Sequence, residues 1–111
     1  MGHLTASDIS QGLRAGKLDA VTVTEQVFDR IAEHGDDAIY IDILRDRAMV
    51  EAKAARLRYR AGLPASPLDG VPVAWKDLFD LKGRVTTVGA VVTKADPPAQ
   101  ADAPVIAAAH R

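Results

Sequence analysis

Apolar residues in the first part of the chain recur at three- and four-residue intervals, and glycines interrupt them. The first such group contains Ile9 and Leu13, which would share one face of a short helix. Thr5 or Ser7 can cap its amino end, because a hydroxyl oxygen accepts a hydrogen bond from a backbone N–H of the first turn. Gly16 stands where a left-handed residue commonly ends a helix. The pattern therefore predicts a short helix before Gly16.

A second helix is predicted between Thr22 and Gly35. Thr22 and Glu25 have the spacing of a capping box, in which each side chain bonds the other residue's backbone N–H. Gly35 has the position of a glycine that ends a helix. The residues that would form the buried face stand four apart: Val23, Val27 and Ile31.

A third helix is predicted to run up to Gly62. Its buried face consists mostly of alanines, which would let the helix lie close against a neighbour. The face is formed by Ile41, Leu44, Ala48, Ala52, Ala55 and Tyr59. We interpret its basic residues as a solvated face and not as a nucleic-acid surface, because Tyr59 is the only aromatic residue among them. These basic residues are Lys53, Arg56, Arg58 and Arg60.

From residue 63 onward the sequence changes to loop and strand patterns. Two prolines and a serine in LPASPL (63–68) are incompatible with a helix. The β-branched run VPVAW (71–75) predicts a short strand with its proline at the start or on an edge. The stretch GRVTTVGAVVTKADPP (83–98) adds further residues typical of strands and turns.

The chain ends in a short predicted helix, with Asp102 as its cap and Pro104 in the first turn, where a missing N–H costs nothing. No stop signal follows before Arg111, and this predicts that the sequence continues. Together the patterns predict a helical region over residues 1–62 and a strand and loop region over residues 63–111.

Composition narrows the classes of function. The 111 residues (11.8 kDa) fit one domain with a modest core, and the formal net charge of -1 gives no general attraction for nucleic acid or anionic lipid. Cysteine is absent, which excludes disulfides, thiolate nucleophiles and cysteine zinc sites. No apolar stretch approaches the roughly 18 residues of a membrane span. We therefore expect a cytoplasmic protein without nucleic-acid or membrane partners.

Few residues offer catalytic or metal-binding chemistry by their spacing. The histidines stand far apart, so no metal or cofactor is predicted. They are His3, His34 and His110. Three carboxylates could be assembled for acid/base chemistry, although their spacing does not require it. They are Asp69, Asp77 and Asp80.

Lys76 ends the apolar run and directly precedes Asp77. In a strand the neighbouring side chains alternate between faces, so Asp77 would point away from the lysine ammonium. A lysine withdrawn from water loses its charge more easily and can then act as a base. Spacing alone nevertheless favours a strand-end lysine that stays in water.

The stretch 67–90, PLDGVPVAWKDLFDLKGRVTTVGA, resembles the amidase signature family. Members of that family carry P-L-x-G-[IV]-P-x-x-x-K-D, then D-x-x-G, then T-T-x-G. The flanks at Ala48–Ala55 and Asp102–Ile106 agree as well, so the resemblance covers nearly the whole chain. The matching positions are Pro67, Leu68, Gly70, Val71, Pro72, Lys76, Asp77, Asp80, Gly83, Thr86, Thr87 and Gly89.

The resemblance implies an α/β/α sandwich around a mixed sheet, to which this chain would contribute peripheral helices and the first strands. It implies amide hydrolysis by a Ser–cis-Ser–Lys triad with Lys76 as the base. The two serines would follow in a glycine- and serine-rich stretch beyond Arg111. Residues 1–111 would then be the incomplete N-terminal part of a single amidase domain, inactive alone. Ala90 replaces a serine common in the family, and Trp75 is bulkier than the residue expected before the lysine.

The function implied by the resemblance is hydrolysis of a small-molecule carboxylic amide to acid and ammonia, without a cofactor. Neither the substrate-binding residues nor the particular amide is indicated, and a homodimer is an open alternative for the assembly. Two other interpretations remain. One is a protein similar to the ammonia-generating subunit of an amidotransferase, which supplies ammonia to a partner. The other, from a different class, is a noncatalytic helical interaction module.

Overall fold

The computed structural model describes residues 3–36 and 38–110, so the ends of the predicted region 1–111 lie outside the described residues. The chain forms two compact units, of which the first ends at Val73 and the second begins at Ala74. The helices of the first unit are α1 (Ala6–Arg14), α2 (Ala20–His34) and α3 (Arg45–Arg60). The second unit has a 3₁₀ turn (Val92–Ala95) and α4 (Pro104–Ala109).

α1 begins with a reciprocal cap at Thr5. The Thr5 hydroxyl oxygen accepts a hydrogen bond from the Asp8 N–H at 3.1 Å, and the Thr5 N–H donates to the Asp8 carboxylate at 2.9 Å. Of the two predicted caps, Thr5 is the one that the helix uses. Gly16 follows the helix with a φ of 71°, in the left-handed region predicted for it.

α2 starts earlier than its sequence pattern predicts. Asp19 is the N-cap, and its Oδ2 accepts a hydrogen bond from the Thr22 N–H at 3.1 Å. The predicted capping box of Thr22 and Glu25 is therefore wrong, because Thr22 already lies inside the first turn and a carboxylate caps that turn instead. Gly35 ends the helix with a φ of 67°, as predicted.

α3 confirms the alanine-rich face but begins later than predicted. Its first residue is Arg45, and Ile41 lies outside the helix and is 59% exposed. α3 packs against α2, and its Ala52 and Ala55 are buried. Small side chains at such a contact allow the two helix backbones to approach closely. Gly62 follows the helix with a φ of 71°, as a C-terminal glycine does.

The core of the first unit forms where the chain returns from its loop at Gly70. Leu13, Ala20 and Ala55, one residue from each helix, are buried together. Gly70 has a φ of 79°, and a Cβ atom there would lie 3.2 Å from both Leu13 Cδ1 and Ala20 Cβ. Glycine is needed at this position both for its backbone conformation and for the close approach of the helices.

The predicted first strands at 71–75 and 83–98 are not formed. Within residues 3–36 and 38–110 the structure contains no β-strand, and residues 71–76 have no regular secondary structure. A strand needs a neighbour to pair its backbone N–H and C=O groups, and the run VPVAW has none among these residues. Among the described residues, the helices of the predicted α/β fold are therefore present, and its mixed sheet is not.

The second unit is tied together by hydrogen bonds between its loop and the residues before α4. The Gly83 N–H donates to the Ala99 carbonyl at 2.8 Å. Pro104 occupies the first turn of α4, as predicted. Asp102 is not its cap, because the Asp102 carboxylate accepts a hydrogen bond from the Lys82 N–H at 2.9 Å. Asp102 thus connects the segment before α4 to the loop instead of capping the helix.

Candidate active-site segment

Lys76 lies in a tight turn near the start of the second unit. Its carbonyl oxygen accepts hydrogen bonds from the Leu78 and Phe79 N–H groups at 2.8 and 3.3 Å. The rings of Trp75 and Phe79 make an edge-to-face contact with their centroids 6.0 Å apart. The backbone that carries the lysine is therefore fixed by hydrogen bonds and by an aromatic contact.

The Lys76 side chain itself is exposed. Among the residues that the structure describes, it has no hydrogen-bond or ion-pair partner. The withdrawal from water that a lysine base requires is not provided by these residues. The role of Lys76 as the catalytic base stays a prediction that rests on the resemblance.

Asp77, the next residue, is hydrogen-bonded to the turn at residues 87–90. Its carboxylate accepts hydrogen bonds from the Thr87 N–H at 3.1 Å, from the Thr87 hydroxyl, and from the Gly89 N–H at 3.5 Å. The bond from the Thr87 hydroxyl is the main cause that holds the pKa of Asp77 below its usual value, because donors favour the charged form. Asp77 is thus ionised at neutral pH and bonded to donors other than Lys76.

Asp80 is held in the same way by the neighbouring threonine. Its Oδ1 accepts a hydrogen bond from the Thr86 hydroxyl at 2.6 Å. Two consecutive threonines therefore bond the two carboxylates that follow Lys76. Sequence reasoning placed all four residues in the family motif but missed their pairing, because separations of 6 and 10 residues along a loop do not indicate which side chains meet.

The turn at residues 87–90 has an unusual backbone. The Ala90 N–H donates to the Thr87 carbonyl at 2.9 Å, and φ is 52° at Val88 and 75° at Gly89. A positive φ is a strained conformation for a β-branched residue, and it persists where the surroundings fix it. The Thr93 hydroxyl supports the turn, since it lies 2.6 Å from the Thr87 carbonyl and 3.0 Å from the Ala90 carbonyl.

Asp69, the third candidate carboxylate, lies in the first unit and has a structural partner. Arg58 donates to it twice at 2.7 Å, and the Ala65 N–H donates at 2.9 Å. The Arg58 guanidinium is the main cause that lowers the pKa of Asp69. Each of the three candidate carboxylates thus has its own donors, and in the described ranges no hydrogen bond joins one of them to another.

The basic face of α3 is only partly solvated. Arg56 donates through Nε to Asp19 Oδ1 at 2.8 Å, and Arg58 bonds Asp69, so both residues connect α3 to other segments. Throughout residues 3–36 and 38–110, no group of three or more His, Cys, Asp or Glu side chains is arranged to hold a metal ion. The helices of these same ranges all lack the length and apolar character needed to cross a membrane.

Comparisons with known proteins point to one family. A family model described as Amidase matches residues 22–110. The chain is 36% identical over 90 residues to a glutamyl-tRNA(Gln) amidotransferase subunit of Thermobifida fusca. It is 37% identical over 91 residues to the protein of the same name from Streptomyces coelicolor. Each of these matches covers 80% of this chain and 18% of the relative.

A solved structure is also similar to this chain. It is described as a vestigial protein complex that reveals the evolutionary origins of an s-triazine catabolic enzyme, and it matches with a TM-score of 0.88 and 30% identity. The match covers 96% of this chain and 24% of the solved chain, and the inhibitor-bound complex gives the same values. The chain thus spans about a quarter of the solved structure and 18% of the curated relatives.

Proposed function

The chain belongs to the amidase family, and on that premise we propose that it is the N-terminal part of an enzyme that hydrolyses a carboxylic amide to the acid and ammonia. The observation that supports this most is the family match over residues 22–110, which includes the whole ordered motif around Lys76. The proposal assigns Lys76 as the base of a Ser–cis-Ser–Lys triad whose serines belong to the rest of the protein.

In this proposal Lys76 acts in its uncharged form, because only then can the amine accept a proton. It takes the proton of the bridging serine, which in turn takes that of the nucleophilic serine as its oxygen attacks the amide carbon. Backbone N–H groups stabilise the oxyanion that forms. The C–N bond then breaks, the nitrogen leaves as ammonia with a proton returned through the same residues, and water releases the acid.

Two features of the segment suit this role. The backbone of Lys76 is held in a turn, so the base is carried by a fixed support. Its side chain is exposed and accessible to groups that this chain does not contain. Because the chain spans 18% of its curated relatives, the remainder of the protein would supply both the serines and the apolar surface that removes water from Lys76.

The named relatives favour a second candidate within the same chemistry. Both curated relatives reported above are glutamyl-tRNA(Gln) amidotransferase subunits. In that candidate the ammonia is not released but is transferred to glutamyl-tRNA(Gln), and partner subunits are required. The substrate of the whole protein distinguishes the two candidates.

The test uses a longer protein that carries this segment. Ammonia release from simple aliphatic and aromatic amides is measured for the parent, for Lys76→Ala and for Lys53→Ala, which changes an exposed lysine of α3. Lys76→Ala should lower turnover by about 10²- to 10⁴-fold, the usual contribution of a positioned base, and Lys53→Ala should not. Undiminished turnover in Lys76→Ala would refute the assignment of the base.

Two further measurements complete the test. Nitrogen transfer to glutamyl-tRNA(Gln) without release from simple amides would favour the amidotransferase candidate. The 111-residue chain assayed alone should show no turnover. Turnover by this chain that Lys76→Ala abolishes would contradict the proposal that the site is incomplete.

A further inference from the structure

Two threonines donate hydrogen bonds to the acidic residues that follow Lys76 most closely in sequence. Asp77 and Asp80 follow the lysine, and each has a carboxylate oxygen bonded by one hydroxyl of the Thr86–Thr87 pair. A carboxylate without such donors, placed beside an ammonium group, attracts it and keeps it charged. Whether other donors hold these carboxylates therefore decides whether one of them can pair with the Lys76 ammonium group.

We propose that Thr87 keeps the carboxylate of Asp77 from pairing with Lys76, so that the lysine amine remains free to react. Thr87 is then a positioning residue that acts on Lys76 through Asp77. The link to catalysis rests on the proposed function. The physical effect, a more reactive Lys76 amine, is a property of this chain alone.

The proposal is based on the hydrogen bonds that the Asp77 carboxylate accepts. Its carboxylate accepts hydrogen bonds from the Thr87 hydroxyl, the Thr87 N–H and the Gly89 N–H, whereas the Lys76 side chain has no partner within the described part of the chain. To reach the ammonium, the carboxylate would have to give up these bonds. The Thr87 hydroxyl oxygen would keep the hydrogen bond that it accepts from the Gly89 N–H at 3.2 Å, but the hydroxyl proton would lose its acceptor. Thr87 is 7% exposed, so water could hardly replace that acceptor, and a buried donor without an acceptor is costly.

The turn that contains these donors is itself fixed. The hydroxyl of Thr93 lies within hydrogen-bond distance of the Thr87 and Ala90 carbonyls, and Val88 is held at a positive φ. Donors on a rigid turn hold a carboxylate in place without being reordered. The lowered pKa of Asp77 agrees with this arrangement, since the carboxylate stays ionised and would otherwise attract the ammonium.

The experiment measures how fast Lys76 is acylated in the 111-residue chain. Trace acetic anhydride is added at fixed pH, and peptide mass spectrometry compares the labelling of Lys76 with that of Lys53. Thr87→Val removes the hydroxyl at nearly constant volume. Labelling of Lys76 should then fall about two- to fivefold, the range expected when an exposed ion pair of ordinary strength forms. The double variant Asp77→Asn/Thr87→Val should recover the parent rate.

The matched control is Thr93→Val. It removes a hydroxyl that supports the turn through the Thr87 and Ala90 carbonyls but leaves all the donors to Asp77 in place, so labelling of Lys76 should fall less than in Thr87→Val. An unchanged rate in Thr87→Val, an equal fall in Thr93→Val, or no recovery in the double variant would each overturn the proposal. Circular dichroism verifies that every variant is folded.

The single variant Asp77→Asn gives a second test, which does not require Thr87→Val to fold. A carboxamide oxygen still accepts the Thr87 donors, so removing the charge should leave the labelling of Lys76 within about twofold of the parent. A rise of fivefold would mean that Asp77 pairs with Lys76 in the parent, and it would overturn the proposal. These outcomes are independent of ammonia release, so failure here and failure of the proposed function are distinguishable.

Discussion

Arg58 and Asp69 form an ion pair with two hydrogen bonds, from Nε to Oδ2 and from Nη2 to Oδ1, each 2.7 Å long. Asp69 is 8% exposed and also accepts a hydrogen bond from the Ala65 N–H. The hydroxyl of Tyr59 donates to the Asp69 carbonyl at 2.7 Å. The end of α3 and the first residues of the family motif are therefore joined through Asp69.

Arg58→Leu should lower the free energy of unfolding of the first unit by about 1 to 3 kcal/mol, because a buried carboxylate loses two donors. Asp69→Asn should cost less, since its amide oxygen still accepts the Ala65 N–H. Urea unfolding followed by circular dichroism measures both changes. Arg60→Leu, at an exposed position of the same helix, is the control. Equal stability of Arg58→Leu and Arg60→Leu would contradict the structural role of the pair.

Gly70→Ala should destabilise the first unit more than Gly16→Ala. Both residues have a positive φ, 79° and 71°, so an added methyl group strains either backbone by about 1 to 2 kcal/mol. At Gly70 the methyl group also lies 3.2 Å from Leu13 and Ala20, whereas nothing lies within 4 Å at Gly16. Crowding should add about 1 to 3 kcal/mol. Urea unfolding of the two variants gives the difference, and similar losses would rule out the crowding.

The stability of the first unit should depend on pH through Asp19. Its hydrogen bond with Arg56 is the main cause that lowers the pKa of Asp19 from 3.8 to about 2. The unfolded chain binds the proton more tightly, so the stabilisation is present above pH 3.8 and is lost as the pH falls through about 2. Arg56→Gln should therefore be less stable than the parent at pH 7 and similar to it near pH 2. Urea midpoints across this range test this, and a difference that does not change with pH would contradict it.

The parts of the fold that the sequence predicts well are those set within one helical turn. Thr5 caps α1 and Gly35 ends α2 because a cap depends on residues three or four positions away. The start of α2 differs from the prediction because Asp19 and Thr22 can both cap a helix, and the capping-box spacing of Thr22 and Glu25 favours the later residue although aspartate is the better cap. The strand predicted at 71–75 failed for another reason, since a strand forms only beside a partner strand.

The candidate site shows the same difference between features set by the local sequence and features set by distant residues. Lys76 was found through the ordered family motif, which is a property of the sequence itself. The hydrogen bonds from Thr87 to Asp77 depend on the path of the loop between these residues. No periodic pattern in the sequence predicts that path. The exposure of Lys76 likewise could not be predicted from an apolar run, because burial depends on what packs against the run.

The strain at Val88 yields a prediction of increased stability. Its φ is 52° and it is 66% exposed, so the side chain gains little from packing in return for a strained backbone. Asparagine tolerates the left-handed region better than valine. Val88→Asn should therefore raise the free energy of unfolding of the second unit by about 1 kcal/mol.

Urea unfolding followed by the fluorescence of Trp75, which lies in the same unit, measures this change. The matched control is Val91→Asn, because Val91 is also exposed but has an ordinary φ of -68°. It should be neutral or slightly less stable than the parent, since no strain is relieved there. If the two variants are equally stable, the positive φ at Val88 costs nothing, and the turn that holds Asp77 is more adaptable than its hydrogen bonds indicate.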